Sequence, residues 1–338
     1  MLFRSNELPI RERHVIVLEY LTCSFLLILS LVGNVLVIAI VFKKPFLNSS
    51  TSLFITVLAA TDVLNAVIPG PFFLASLITG RMSFSSVGCD ISGFFMHFVT
   101  LSSVSTMGLI AVNRYFCVLK PNRYKTIFTP RRSAAFLASL WLFISIVIVL
   151  PLIVGWAIMK FNPLMATCSL HFESLALETG FTAFVMLVFV LPSFVLVAFC
   201  YYRISQVLRQ HRNMFLTVRA STRLSIQEIN LTKIFFVLVV SFIILWLPTF
   251  VVIFLFRVVF HEGIPRQLAL AVPFELLANS AINPWIYGAM NPSFRKKLSS
   301  ILRRSNAIGD QPGEQVTPKK QELSLRVASE IILSHEMI

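Results

Sequence analysis

The residues most able to do chemistry lie inside or beside long apolar runs. Asp62 and Glu275 are acids within such runs, and Arg114 closes another run, between Asn113 and Tyr115. A charged side chain at the middle of a lipid bilayer costs at least about 2.5–3.5 kcal/mol. These residues therefore indicate a polar contact between helices, an ion path or a conformational switch, and the elements that carry them must decide which.

The composition is that of a membrane protein. Of the 338 residues, 57% are hydrophobic and 13% are charged, whereas a soluble domain carries about 25% charged residues. Seven apolar runs are each long enough for the roughly 20 residues that a helix needs to cross a bilayer. We therefore expect an all-α membrane protein with a bundle of seven transmembrane helices. The runs are residues 16–42, 53–78, 91–112, 134–158, 179–200, 234–256 and 268–290.

Lysine and arginine concentrate in alternate loops. Lys43 and Lys44 follow the first run, and further basic residues crowd the loops after the third, fifth and seventh runs. Because such loops stay in the cytoplasm, we expect an extracellular N-terminus and a cytoplasmic C-terminus. Topology thus accounts for the net charge of +14, and no nucleic-acid partner is expected.

Two of the five cysteines, Cys89 and Cys168, fall at the predicted outer ends of spans. The oxidising compartment outside the cell permits a disulfide bond between them. The residues alone leave open whether they form this bond or remain two unpaired thiols.

Polar side chains and prolines recur at depth within the spans. Pro248 and Pro284 are examples, and each removes a backbone donor and favours a kink. Asn34 is more simply explained as a hydrogen-bonding contact between helices. For Asp62 a functional role is the preferred interpretation.

Short motifs follow one another along the spans, from Gly33-Asn34-Val35 on the first, through Asn113-Arg114-Tyr115 on the third, to Asn283-Pro284-x-x-Tyr287 on the seventh. In this order, they resemble the motifs of the rhodopsin-like (class A) G-protein-coupled receptors, over roughly residues 15–304. The resemblance implies a plasma-membrane receptor, not an enzyme, that transmits an extracellular ligand signal to heterotrimeric G proteins. It also implies a disulfide bond between Cys89 and Cys168. The motifs, each on its own span, are Gly33-Asn34-Val35, Leu58-Ala59-Ala60-Thr61-Asp62, Cys89, Asn113-Arg114-Tyr115, Trp141, Pro192, Phe242-x-x-x-Trp246-Leu247-Pro248 and Asn279-Ser280-x-x-Asn283-Pro284-x-x-Tyr287, then Phe294.

The resemblance implies a buried allosteric sodium ion and no other cofactor or structural metal. A hard cation prefers oxygen ligands, and sodium here is expected to favour the inactive packing. The matching residues are Asp62, Ser103, Asn279 and Ser280.

A switch that faces the G protein is implied at the inner helix ends. Arg114 is expected to open toward the G protein, and Glu228 is its expected ion-pair partner. Most relatives carry an acid where Asn113 stands, so we expect a loosely held inactive state. The matching switch residues are Asn113, Arg114, Tyr115, Glu228, Asn283, Pro284 and Tyr287, and the aromatic pair that repacks on activation matches Phe242 and Trp246.

The implied ligand pocket is mostly apolar, as small-molecule sites tend to be. Amine receptors carry an aspartate where Met96 stands, and opsins carry a retinal-binding lysine where Leu277 stands, so neither ligand class is expected. A small molecule, a lipid or a peptide remains open. His97 is the distinctive polar side chain, and a simple hydrogen bond to a neighbouring helix is its alternative role. The expected lining is Met96, His97, Thr100, Phe184, Val188, Trp246, Phe250, Ile253, Phe274 and Leu277.

The predicted organisation is an extracellular segment 1–15, a receptor domain 16–304 and a disordered cytoplasmic tail 305–338. Within the receptor domain, residues 292–304 are expected to form an amphipathic helix on anionic membrane lipids. Ser324, Ser329 and Ser334 are candidate sites for a receptor kinase and for arrestin recruitment, with plain solvated serines as the alternative.

The competing class is a membrane transporter or an ion-conducting seven-helix protein. It would use Asp62 and Glu275 as an ion path and would need a continuous polar route through the bundle. The expected pocket is mostly apolar, which favours the receptor.

Overall fold

The computed structural model describes residues 7–42, 50–215, 226–260, 264–291, 294, 295 and 299, with the backbone alone at 208–215 and 226–229. The helices are α1 (Arg13–Phe42), α2 (Ser50–Val67), α3 (Pro69–Thr79), α4 (Ser86–Leu119), α5 (Pro121–Ile127), α6 (Pro130–Ile153), α7 (Leu175–Val185), α8 (Leu191–Phe215), α9 (Ile226–Phe254) and α10 (Arg266–Met290). Two π-helical turns, Met186–Val190 and Leu255–Val259, precede α8 and follow α9.

Six helical stretches in the described ranges are long and apolar enough to cross a membrane. They correspond to the first six predicted spans. The seventh predicted span lies in α10, whose 25 residues reach across a bilayer at about 1.5 Å per residue. Helix α10 contains Pro273 and Pro284 and buries Asn279 and Asn283. The six stretches are Arg13–Phe42, Ser50–Thr79, Ser86–Leu119, Pro130–Ile153, Leu175–Val207 and Asn230–Val259.

Helix α4 is the centre of the bundle. It has 34 residues and packs against α2, α6, α8 and α9. At its start, the hydroxyl of Ser85 accepts a hydrogen bond from the backbone nitrogen of Gly88 at 3.2 Å, which satisfies one of the free donors of the first turn. Small residues such as Ser102, Gly108 and Ala111 are buried along α4, so neighbouring helices approach closely.

Prolines interrupt or bend several helices. Ile68 separates α2 from α3 with φ −111° and ψ −80°, and Pro69 then starts α3. A proline in a helix interior lacks the backbone donor and clashes with the preceding turn. Prolines also lie within longer helices, namely Pro151 in α6, Pro248 in α9, and Pro273 and Pro284 in α10.

A β-hairpin covers one end of the bundle, a feature that the expectation of an all-α chain did not include. Strands β1 (Ala157–Asn162) and β2 (Thr167–Phe172) pair antiparallel, with Lys160 opposite Ser169 and Ile158 opposite His171. A disulfide bond joins Cys168 of β2 to Cys89 of α4.

The two ends of the bundle are named here by their residues. The disulfide end carries Cys89 and Cys168, with a Cα–Cα distance of 5.4 Å. The arginine end carries Arg114, 25 residues further along α4, which is roughly 37 Å at the helical rise.

The segment before α1 is tied to the disulfide end. The backbone nitrogen of Leu8 donates to the carbonyl oxygen of Gly80 at 2.8 Å, and the Leu8 side chain is buried near the disulfide. Arg11 forms an ion pair with Glu19 of α1, and Arg266 of α10 contacts the same carboxylate at 3.2 Å. One carboxylate thus links residues before α1 to the start of α10.

Chain unit Met1–Phe294 contains this bundle, and Arg295–Ile338 forms a second unit. Of the second unit, Arg295 and Ser299 are described, and both are helical and exposed. The rest of the predicted amphipathic helix after Phe294, the tail with Ser324, Ser329 and Ser334, and the Lys43–Lys44 loop lie outside the described residues.

Gly33 sets the distance between α1 and α10. A Cβ atom at this position would lie 2.7 Å from Cγ and 2.8 Å from Cβ of Pro284. Such contacts are too short for real side chains, so the α1–α10 packing requires glycine here.

Replacing Gly33 with alanine is expected to destabilise the bundle, because the added methyl group collides with the rigid Pro284 ring. Overpacking of this kind costs about 1–3 kcal/mol. The melting temperature of the purified protein in detergent should fall by several degrees in a thermal unfolding assay.

Gly288→Ala in α10 is the matched control, since a Cβ there would meet nothing within 4 Å. Alanine favours a helix over glycine by about 0.5–1 kcal/mol, so this variant should melt at the same or a higher temperature. Equal losses in both variants would contradict the packing argument.

Candidate functional site

Arg114 is a fully buried charge at the arginine end, with an exposed fraction of 0%. Its Nη2 donates a hydrogen bond to the hydroxyl of Thr51 on α2. Its guanidinium carbon lies 5.2 Å from the centre of the Phe235 ring on α9. A cation removed from water needs such compensation. Helices α2, α4 and α9 therefore meet at this one side chain.

Asn113 orients the guanidinium group without neutralising it. Its carboxamide oxygen accepts from Nε of Arg114 at 3.1 Å and from Nη2 at 2.7 Å. Its Nδ2 is buried and has no hydrogen-bond partner within the described residues. A carboxylate would present two acceptor oxygens and a negative charge to the same fork. Asn113 therefore restrains Arg114 less than an acidic residue at the same position would.

The other predicted switch residues occupy separate places. Glu228 lies in α9, but its side chain is outside the described part of the chain, so its pairing with Arg114 stays a prediction. The Tyr115 ring lies 5.9 Å from the Phe199 ring, at the contact between α4 and α8. The Tyr287 ring lies 6.3 Å from the Phe294 ring.

A layer of buried polar side chains joins α1, α2 and α10. Asn283 Nδ2 donates to Asp62 Oδ2 at 2.8 Å. Asn34 Nδ2 donates to the backbone oxygen of Ser280 at 2.9 Å, and Asn65 Nδ2 donates to the Ser280 hydroxyl at 3.1 Å. These bonds satisfy polar groups that have no water available. Pro284, one of the predicted switch residues, directly follows Asn283 in α10.

The predicted sodium residues are all buried. Asp62 lies on α2, Ser103 on α4, and Asn279 and Ser280 on α10. Asp62 Oδ1 has no hydrogen-bond partner among the described residues. A carboxylate oxygen without a donor, in a layer of hydroxyl and carboxamide groups, fits the oxygen-rich donor set that a hard cation prefers.

Stacked rings on α9 connect the middle of the bundle with the disulfide end. Phe242 and Trp246 lie with centroids 6.2 Å apart, and Phe250 stacks on Trp246 at 5.2 Å. Phe194 of α8 lies within 6.3 Å of both Phe242 and Phe250. Phe242 and Trp246, the predicted aromatic pair, therefore belong to a row of rings that extends by one helical turn to Phe250.

A cavity of about 660 Å³ lies at the disulfide end, between α4, α7, α9 and the hairpin. Its volume is within the range of about 300–1,000 Å³ typical of small-molecule sites. Trp246 lies on its wall as expected. The predicted ligand residues that also line it are Met96, His97, Thr100, Phe250 and Ile253.

Two of the predicted ligand residues, Phe184 and Val188, face away from this cavity and are 42% and 38% exposed. The π turn Met186–Val190 places an extra residue in one helical turn, which rotates the preceding helix. As a result, Phe181 and Val185 line the cavity instead. A regular helical repeat does not anticipate this rotation.

Phe274 and Leu277 also lie off the cavity wall. The Phe274 ring packs against the Phe73 ring of α3 at 5.1 Å. Leu277 is 2% exposed within the apolar cluster that contains Cys89 and Cys168. Both residues of α10 therefore stabilise the bundle beneath the disulfide rather than face the cavity.

Comparison with known proteins decides what this bundle is. The family model "7 transmembrane receptor (rhodopsin family)" matches residues 33–287. The chain belongs to this family. Receptors of the family bind an extracellular ligand and couple to G proteins, and they are signalling receptors rather than enzymes.

The relatives of this rhodopsin-family receptor include melatonin receptors. Melatonin receptor type 1A of Ovis aries is 30% identical over 82% of this chain and 75% of its own length. Melatonin receptor type 1B-B of Danio rerio is 28% identical over 82% of this chain and 79% of its own length. The crystal structure of squid rhodopsin, 22% identical, has a TM-score of 0.74 over 87% of this chain and 82% of that chain, which supports the fold alone.

Family membership confirms the predicted receptor class and the predicted seven-helix fold. It does not favour the transporter or ion-conducting alternative. The receptor also carries the disulfide bond between Cys89 and Cys168.

His97 and Glu275, which no motif assigned, both bridge structural elements. The backbone nitrogen of Leu170 donates to His97 Nε2 at 3.3 Å, so the imidazole holds the hairpin against α4 rather than contacting a helix. An Nε2 that accepts a hydrogen bond leaves the proton of the neutral ring on Nδ1. The Thr249 hydroxyl donates to Glu275 Oε2, which links α9 to α10.

Several residues at the two sites lie outside the sequence motifs. Thr51 and Phe235 contact Arg114, and Lys160, Glu178 and Arg257 line the cavity. They lie on different elements and come together only through helix packing. Their positions in the sequence therefore give no signal of a shared site.

Introducing Asp at position 113 is expected to lower basal signalling. The carboxylate would accept from both donors of Arg114, supply the missing charge and remove the buried Nδ2 that lacks a partner. A partly buried pair contributes more than the about 0–1 kcal/mol of an exposed one. The measurement is ligand-free nucleotide exchange at matched receptor amounts, which should fall severalfold in Asn113→Asp.

Gln267→Glu is the control, because it replaces an amide by a carboxylate at an exposed position of α10, at the disulfide end. Its basal exchange should equal that of the unmodified receptor. If Asn113→Asp retains full basal exchange, or if both variants lose it equally, local pairing with Arg114 does not restrain the receptor.

Proposed function

We propose that this receptor binds a small, largely apolar ligand in the cavity at the disulfide end and signals to a heterotrimeric G protein at the arginine end. The disulfide end would face the outside of the plasma membrane. Lys120, Arg123, Lys125 and Arg131 cluster next to the arginine end, and basic loops stay in the cytoplasm. That bias supports an extracellular N-terminus.

The observation that carries this proposal is the layout of α9. Trp246 and Phe250 on this helix line the cavity, and Phe235, three turns nearer the arginine end, covers the guanidinium of Arg114. Pro248 lies between Trp246 and Phe250 in the sequence of α9. A ligand that repacks the Trp246 and Phe250 rings would shift α9, whose Phe235 ring covers Arg114. Ligand binding and release of Arg114 would then be coupled through one rigid element.

A buried sodium ion would oppose this movement. Asp62 would supply its charged ligand, and Ser103, Asn279 and Ser280 would supply neutral oxygens. These residues come from three helices, so an ion held between them would favour the closed, inactive packing. Hydrogen bonds from Asn283 to Asp62 would restrain the same region when the ion is absent.

The relatives' names make melatonin the first ligand to test. The cavity, of about 660 Å³, would accommodate an uncharged aromatic ring system, because Trp246, Phe250 and Met96 offer it apolar contacts. Thr100 and the Nδ1 proton of His97 are polar groups near these rings. A lipid or a peptide is the alternative ligand class.

Further partners belong to segments outside the described residues. Residues 292–304 would lie on anionic membrane lipid, and Ser324, Ser329 and Ser334 would be phosphorylated by a receptor kinase and recruit arrestin. These proposals rest on the sequence of these segments alone.

The test is a nucleotide-exchange assay with purified receptor in lipid nanodiscs and a panel of heterotrimeric G proteins. Ligand-dependent exchange is expected, together with no ligand-dependent ion or solute flux when the protein is placed in liposomes. Flux without exchange would overturn the proposed function.

Asp62→Asn is expected to abolish the response to sodium, because it removes the charged ligand and keeps the shape of the side chain. In the unmodified receptor, replacing choline chloride by sodium chloride at equal ionic strength should raise the melting temperature and lower agonist affinity. In Asp62→Asn both effects should disappear.

Asp90→Asn is the matched control, since Asp90 is exposed at the start of α4. It should retain the full sodium response. A sodium response that survives in Asp62→Asn would rule out the proposed ion site, whatever the receptor's signalling activity.

A further inference from the structure

The cavity wall changes in polarity from one side to the other. Near the middle of the bundle it is formed by Trp246, Phe250, Met96, Leu101 and Ile148, all without charge. At the disulfide end it is formed by the hairpin and by the ends of α7 and α9, which carry the charged side chains. The cavity is therefore amphipathic along its length.

The hairpin presents a basic, polar surface to the cavity. Lys160 pairs in register with Ser169, and two residues further along β2 lies His171. All three residues are among those that border the cavity, as is Asn162 at the end of β1, and Lys160 and His171 are also exposed to solvent. Cross-strand neighbours on one face of a hairpin lie about 4.5–5.5 Å apart, so these groups can contact one ligand group together.

The opposite wall of the cavity carries one positive and one negative side chain, which form an ion pair. Arg257 Nη1 contacts Glu178 Oε1 at 3.1 Å, and both side chains are partly buried, with exposed fractions of 24% and 30%. The Thr179 hydroxyl donates to the backbone oxygen of Arg257 at 3.1 Å and fixes the turn that carries it. The charges of this pair compensate each other.

Lys160 is the charge on the cavity wall that remains uncompensated. Lys160 is an exposed residue, and its ammonium group forms no ion pair or hydrogen bond within the described residues. The Glu178 carboxylate, the cavity's acidic group among those residues, is already paired with Arg257. A cationic ligand would meet Lys160 without a free carboxylate in compensation, whereas an anionic group would gain a charge-assisted hydrogen bond.

We infer that the receptor's ligand is an acidic amphiphile, with a carboxylate at Lys160 on the hairpin and an apolar body against Trp246 and Phe250. This inference rests on the proposed function of the cavity as the ligand site. It differs from the neutral aromatic ligand that the relatives' names suggest. Ser169 and His171 would donate to the same carboxylate, and the aromatic floor would hold an alkyl or aryl group.

Matched compounds that differ only in charge test the inference. The probes are decanoic acid, decanamide and decylamine, and naphthaleneacetic acid with naphthaleneacetamide. Binding to the purified receptor is measured by thermal shift titration, and signalling by nucleotide exchange. At least one acid is expected to bind roughly tenfold more tightly than its amide, and the amine is expected not to bind.

Three variants locate the charge. Lys160→Gln should remove the preference for acid over amide, and Lys160→Arg should retain it because the positive charge persists. Arg81→Gln, which removes an exposed positive charge from the same end of the bundle but off the cavity wall, should leave the preference unchanged. Loss of the preference in Arg81→Gln as well would indicate a general surface field and overturn the assignment to Lys160.

The two assays separate the inference from the function on which it rests. Acids that bind through Lys160 but drive no exchange with any G protein would uphold the ligand class and contradict signalling. Exchange driven by melatonin or another uncharged compound, without preferential acid binding, would overturn the ligand class and leave the receptor function intact. Absence of binding by both acids would also overturn the inference.

Discussion

The packing of the bundle depends on the burial of one cation, the guanidinium group of Arg114. Its exposed fraction is 0%, so water does not solvate it and the protein must supply every compensating contact. Those contacts include Thr51 on α2, Asn113 on α4 and the Phe235 ring on α9. Separating α9 from α4 would remove the Phe235 contact and admit water, which solvates the charge in its place. A buried arginine whose contacts come from several helices is thus suited to a transition that exposes it.

The polar layer deeper in the bundle imposes a second constraint of the same kind. Asp62 has one oxygen bonded to Asn283, and its other oxygen lacks a donor among the described residues. Such a group stays costly until a cation or a rearrangement satisfies it. Pro284 lies next to Asn283 and contacts α1 at Gly33, so any adjustment of the layer also acts on the α1–α10 contact. The Arg114 contacts join α2, α4 and α9, whereas the polar layer joins α1, α2 and α10, so the two sites share α2.

Sequence patterns predicted the structural features that depend on the length and composition of a segment or on a motif within it. Hydropathy predicted the spans, and the motifs predicted that Arg114, Asp62 and the Cys89–Cys168 bridge occupy separate levels. Features that depend on helix phase or on contacts between distant segments were not predictable. The π turn at Met186–Val190 rotates Phe184 and Val188 away from the cavity, and no local residue type announces it. The hairpin itself was not predicted either, and the hydrogen bond from Leu170 to His97 of α4 holds it against the bundle beside the Cys89–Cys168 bridge.

The cavity and the arginine end are connected because they share a helix, not because they are close. Trp246 and Phe250 sit on the ligand side of α9, and Phe235 sits on the Arg114 side. At the level of Trp246 and Phe250, the Thr249–Glu275 hydrogen bond ties α9 to α10 next to Pro248, whose missing donor weakens the helix there. Under the proposed function, a ligand that displaced these rings would act on α9 at the level where this polar contact holds the helix. The strength of that contact, as well as ligand affinity, would then determine how far the Phe235 ring moves from Arg114.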